Sequence, residues 1–137
     1  MPIKNRISDF QDEMIEWRHH FHANPEIAYK EKNTAKKIVE LLKKFNVDSI
    51  ETGFGKTGVV ATIKNGKGKN IGLRADMDAL PITEENIHAK HCSKEKGKMH
   101  ACGHDGHTTM LLGAAKYLAE TKNFNGQVTL IFQPAEE

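Results

Sequence analysis

Near the start of the chain, Ile3, Ile7, Phe10, Met14, Trp17 and Phe21 recur at spacings of three and four. That spacing draws a single apolar stripe down a helix, which repeats every 3.6 residues. Pro25 in "HANPE" disfavours helical backbone at Asn24, so the helix is predicted to end there. A second amphipathic helix is predicted over 34–45, with Asn33 as N-cap and Ile38, Leu41, Leu42 and Phe45 facing inward. The pattern then changes period. "TGVVATIK" and "NIGLRAD" read as strands, and the "NGKGKN" between them has the turn chemistry of an antiparallel hairpin. Residues 77–100 are polar and aperiodic, which predicts an irregular loop. A buried helix is predicted over 106–120 from "GHTTMLLGAAKYLAETK". The last segment, "GQVTLIFQPAEE", has almost no polar break, as expected of a central strand covered on both faces. This order of elements predicts an α/β fold, a mixed sheet flanked by helices.

Composition narrows the function classes. A chain of 137 residues is long enough to bury one domain core. Twenty basic against eighteen acidic residues leave a formal charge of +2, too balanced for a dedicated nucleic-acid binder. No apolar run is long enough to span a bilayer, and the charged N-terminus has no signal-like apolar core. A cytoplasmic protein with neither nucleic-acid nor membrane partners is expected. Cys92 and Cys102 are too few for a disulfide scaffold and are expected to be thiols.

Candidate chemistry is concentrated in "MHACGHDGHTTM", which sets His100, Cys102, His104, Asp105 and His107 within eight residues. Residues two apart do not share a helix face, so Cys102 and His104 can grip one ion only from non-helical backbone. Gly103 makes such a turn inexpensive. Sulfur with imidazole suits zinc, cobalt, nickel, iron or manganese better than calcium or magnesium. The same residues also fit a polar helix start with a free cysteine, because two ligands do not make a site. In "RADMDALP", Asp76 and Asp78 lie at the end of a predicted strand, where open α/β sheets collect functional groups. Glu136 and Glu137 follow another strand and a proline; one could ligate a metal while the other addresses a water. The histidines of "WRHHFH" are expected on flanks and exposed turns beside the buried stripe.

Taken together, "WRHHFHANPE", "GLRADMDALPI", "MHACGHDGHTTMLLGAA" and "IFQPAEE" resemble the N-terminal part of the metal-dependent aminoacylase/carboxypeptidase family. That group includes hippurate hydrolases, N-acyl-amino-acid amidohydrolases and plant auxin-conjugate hydrolases. The resemblance implies that Cys102, His104 and Glu137 are metal ligands, with Cys102 bridging two divalent ions of the manganese, zinc, cobalt or nickel type. It implies Glu136 as general base and Asp78 as a supporting acid beside the metal centre. Asp76 stands where related dimetal peptidases carry a ligand histidine, and its role is left open.

The implied substrates are N-acyl amino acids or short peptides, and a homo-oligomer is compatible with the family. Residues 1–137 would be a partial catalytic domain of a dimetal exopeptidase-like hydrolase, without the lid or dimerisation domain. The family's further histidine ligands lie beyond "QPAEE", so the chain alone is expected to be inactive. Two other classes are compatible with the residues. One is a non-catalytic metal-binding fragment; the other is a thiol protein in which Cys92 and Cys102 form a redox pair.

Overall fold

In the computed structural model, which describes residues 2–137, three helices are followed by three strands, a fourth helix and a fourth strand. They are α1 (Ile3–Asp9), α2 (Gln11–Ala23), α3 (Lys32–Lys44), β1 (Ser49–Phe54), β2 (Gly58–Asn65), β3 (Asn70–Asp76), α4 (His104–Thr121) and β4 (Gly126–Gln133). The N-terminal stripe forms two helices instead of one. The Phe10 amide bonds to the Ile7 carbonyl, three residues back, and this tighter turn divides α1 from α2. Phe10 itself is buried, with the Arg6 and Lys116 cations over its ring. Helix α3 begins two residues before its predicted start, and Asn33 is not its cap. The Glu26 carboxylate accepts the backbone N–H groups of Asn33 and Thr34 from outside the helix.

The sheet order is β1-β2-β4-β3. The predicted hairpin between the second and third strands does not form. Instead β4 lies between them, antiparallel to β2 (Ala61 opposite Leu130) and parallel to β3 (Leu73 opposite Leu130). The glycines of "NGKGKN", together with Gly126 at the start of β4, serve a different contact. A Cβ at Gly66 would lie 2.2 Å from the Asn125 side-chain oxygen, and one at Gly126 would lie 2.1 Å from the Lys69 carbonyl. They let the start of β4 approach the turn closely enough to insert. Strand β1, absent from the sequence reading, is an edge strand whose last four residues are exposed, so it carries no apolar alternation.

Val59, Ala61 and Ile63 of β2 share one face with Val128, Leu130 and Phe132 of β4. Against that face pack Trp17 and Phe21 of α2, Ile38 and Leu42 of α3, and Leu112 and Ala115 of α4. The fold is therefore α/β with a mixed sheet, as expected. Strand β4 is central, yet it alternates: Gln127, Thr129, Ile131 and Gln133 on its other face are only half-buried. Among the described residues, no helix is long and apolar enough to cross a membrane. Residues 77–103 form the expected irregular connection, pinned by isolated bridges from Ala79 to Ile27 and from Leu80 to Met99. Because β3 and β4 run parallel, their C-terminal ends emerge side by side, next to the start of α4.

Candidate metal centre

Three chain segments meet at that edge. The first is the turn into α4, where Gly103 has φ +89° and directs Cys102 and His104 to a common side, the non-helical turn expected of it. The second is the end of β3, with Asp76 and Asp78. The third is the elbow after β4, in which Ala135 adopts φ +51° and the next two residues are Glu136 and Glu137.

His104 is the centre of the cluster and is 2% exposed. Its Nδ1 lies 2.8 Å from the Asp78 carbonyl oxygen and 3.2 Å from Asp78 Oδ1. A carbonyl oxygen can only accept, so Nδ1 carries a proton, and Nε2 is the ring atom whose lone pair a metal would take. Three carboxylate oxygens face that lone pair: Asp76 Oδ2 at 3.5 Å, Glu136 Oε2 at 3.6 Å and Glu137 Oε1 at 3.7 Å. The ligating atoms of Cys102, His104 and Glu137 lie within 4.8 Å of one another, as do those of Asp76, His104 and His107. Three anionic oxygens gathered about one ring nitrogen, none at an ordinary hydrogen-bond distance from it, are an arrangement that a cation stabilises, so the residues present fit a divalent metal.

The surrounding electrostatics are those of an anionic cluster. Cys102, at the positive end of α4, would on that ground alone be biased towards thiolate. Its hydrogen bond to Glu137, its partial desolvation and the nearby Glu136 and Asp76 charges instead push the thiol up. For Asp76, burial works to raise the carboxyl. The His107 hydrogen bond (2.7 Å), His104 and Arg74 outweigh it and bring the group below its ordinary value. Asp78 is 1% exposed and binds on both sides, since its Oδ2 also accepts the Glu137 amide at 3.0 Å. It thereby ties the histidine to the glutamate elbow.

The five residues to which the resemblance gives roles, Asp78, Cys102, His104, Glu136 and Glu137, thus lie around one point. Cys92 takes no part and is a half-buried free thiol. His107 is bonded to Asp76. The expectation for "WRHHFH" needs correction at one position. His22 is buried, with Nδ1 2.8 Å from Asp105 and Nε2 3.0 Å from Glu84, so it joins α2 to the metal-side turn. His100 is buried with both ring nitrogens unpartnered, and burial lowers its pKa to about 4. Neither the His22 nor the Glu84 contact could be read locally, because each joins residues at least sixty positions apart.

Residues 72–137 match the model for peptidase family M20/M25/M40. Over its whole length the chain is 54% identical to a hippurate hydrolase of Campylobacter jejuni, of which it covers 35%. Residues 72–137 are thus a peptidase M20 family segment. Over 98% of its length it is 49% identical to thermostable carboxypeptidase 1 of Saccharolobus solfataricus, again covering 35% of that protein. Among solved structures, an M20 dinuclear metal-binding peptidase from Bacillus subtilis superposes with a TM-score of 0.88 at 40% identity. That match covers 94% of this chain and 36% of the other. The chain therefore spans about a third of the length of the relatives it matches.

Proposed function

We propose that these residues form part of the metal site of an amidohydrolase that cleaves the amide bond of N-acyl amino acids or short peptides. Cys102, His104 and Glu137 are the metal ligands, Glu136 is the general base, and Asp78 orients His104. The observation that carries this reading is the outward-facing Nε2 of His104, ringed by Asp76, Glu136 and Glu137. The names of the relatives support the substrate class, since a hippurate hydrolase and a carboxypeptidase both release an amino acid from an amide.

A thiol, an imidazole and carboxylates suit manganese, zinc, cobalt or nickel; Cys102, His104 and Glu137 would hold the metal, of which the complete site is proposed to take two ions. Divalent ions bound there would polarise the scissile carbonyl and acidify the attacking water. The rest falls to the chain. Glu136, with 39% of its side chain exposed, is open enough to meet both water and substrate. It takes a proton as the water oxygen bonds to the carbonyl carbon. It then returns the proton to the amide nitrogen as the C–N bond breaks, releasing a carboxylic acid and an amine. Asp78 keeps the proton on Nδ1 of His104 throughout, so that Nε2 stays available for ligation. The free thiols of Cys92 and Cys102 support a cytoplasmic setting.

The test is hydrolysis of N-benzoylglycine, N-acetyl amino acids and dipeptides by the full-length protein supplied with manganese or zinc. Glu136→Gln is expected to lower kcat by about 10²- to 10⁴-fold, the usual worth of a general base, while keeping its metal. Near-normal turnover by Glu136→Gln would remove Glu136 from the role of base. If Cys102→Ser kept full metal content, the ligand assignment would fail.

A further inference from the structure

The elbow that presents Glu136 and Glu137 is in a conformation its own sequence does not favour. Ala135 sits at φ +51°, a left-handed backbone that costs a non-glycine residue about 1 kcal/mol or more. Something outside the elbow must hold it. Pro134 packs over Gly58, where an added Cβ would come within 3.1 Å of the proline ring, and Asp78 takes the Glu137 amide. Neither contact restrains Ala135 itself.

The group that does so is Glu31. Its side chain is completely buried, far from the cluster in sequence, at the entrance to α3. Its Oε1 accepts the Ala135 N–H at 2.9 Å, and its Oε2 accepts the Thr57 hydroxyl at 2.7 Å. Burying a carboxylate is costly, and a helix entrance with no side-chain cap gives it no local purpose. Both of its bonds point away from α3. One reaches the β1–β2 turn and the other the elbow.

We infer that Glu31 is a positioning residue: braced by Thr57, it holds Ala135 in the left-handed turn that brings Glu136 and Glu137 up to His104. This inference rests on the proposed metal site for its functional meaning, but the tether itself can be tested without metal. Glu31→Gln is the conservative variant. Glutamine keeps an oxygen for the Ala135 N–H and turns its amide hydrogens to the Thr57 hydroxyl oxygen, which can accept as well as donate. Glu31→Met keeps the volume and removes both bonds. Ala135→Gly, added to Glu31→Met, supplies a residue that adopts positive φ without help.

Two readouts are taken. In the metal-free protein, hydrogen exchange at the Ala135 amide is expected to accelerate at least about tenfold in Glu31→Met and to stay near the wild-type rate in Glu31→Gln. In a cobalt(II) titration followed by the thiolate-to-cobalt absorption band, Glu31→Met is expected to weaken binding about ten- to a hundredfold, as loss of a ligand-orienting partner does. Glu31→Gln is expected to remain within about threefold of wild type, and Glu31→Met/Ala135→Gly to recover most of the loss. Thr57→Val, which keeps the Ala135 bond but removes the brace, should fall between wild type and Glu31→Met, and it serves if Glu31→Met does not fold.

Wild-type affinity in Glu31→Met, equal loss in Glu31→Gln, or no recovery with glycine would each overturn the inference. If the wild-type protein lacks the cobalt band while the exchange pattern holds, the metal reading fails and the tether stands.

Discussion

Replacing Asp78 by asparagine changes one heavy atom and sets two hydrogen bonds against each other. Asp78 presents two acceptor oxygens to two donors, the His104 Nδ1–H and the Glu137 N–H. Asparagine has one acceptor and one donor group. If its oxygen keeps Glu137, its NH₂ faces His104 Nδ1, which is also held 2.8 Å from the backbone carbonyl of residue 78. Two donors then meet, or the proton moves to Nε2 and occupies the lone pair that faces the carboxylates. If the side chain flips, the Glu137 amide loses its partner and the elbow loosens. These two side chains are closed to solvent, Asp78 being 1% and His104 2% exposed, so water cannot repair either choice.

An unsatisfied buried donor costs about 1–3 kcal/mol, equivalent to about 5- to 150-fold in a binding constant. Asp78→Asn is therefore expected to weaken zinc or cobalt binding by one to two orders of magnitude. Calorimetric titration at fixed pH measures this, and urea unfolding of the metal-free chain detects any part of the cost carried by stability. Unchanged affinity together with unchanged stability would refute the assignment of a proton to Nδ1 of His104.

Two further outcomes follow from contacts elsewhere. Glu26→Ala removes the acceptor for the first N–H groups of α3 and for the Thr34 hydroxyl. It should cost about 1 kcal/mol, the usual worth of a helix cap, seen as a Tm lowered by about 4 °C; an unchanged Tm would show that the cap is idle. Burial raises the Glu84 carboxyl, but the Ser93 amide and His22 more than offset this and hold it below its ordinary value. A carboxylate depressed in the folded state stabilises above its unfolded pKa, and that contribution is lost as pH falls through the folded value. Glu84→Gln should therefore flatten the acid limb of the stability curve below about pH 4.5 while leaving the slope near neutrality unchanged; a limb as steep as wild type would contradict this.

The parts of the site that could be read from sequence are those whose chemistry is local. Cys102-Gly103-His104 announces itself because a ligand pair two apart requires a turn and the glycine supplies one. Asp78 and the Glu136–Glu137 pair sit at strand ends, where side chains can converge. The pairing of β2 with β3 was misread because "NGKGKN" satisfies a hairpin rule. The apolar run Val128–Phe132 outweighs it, since inserting β4 between them gives that run a partner on each side. Glu26, Glu31 and His22 were invisible for another reason. Each is a polar residue whose only sequence signal is its type, and each gains its role from a partner brought close by the fold. In Glu31 that partner is a backbone amide more than one hundred residues away, which no side-chain pattern records.

The central claim is that Cys102, His104 and Glu137 bind a divalent cation together. X-ray absorption at the zinc edge of the zinc-loaded protein tests it most directly. One sulfur scatterer at about 2.3 Å beside nitrogen or oxygen neighbours at about 2.0–2.2 Å is expected, with the sulfur shell absent in Cys102→Ser. A shell of nitrogen and oxygen alone in the wild-type protein, unchanged by Cys102→Ser, would contradict it.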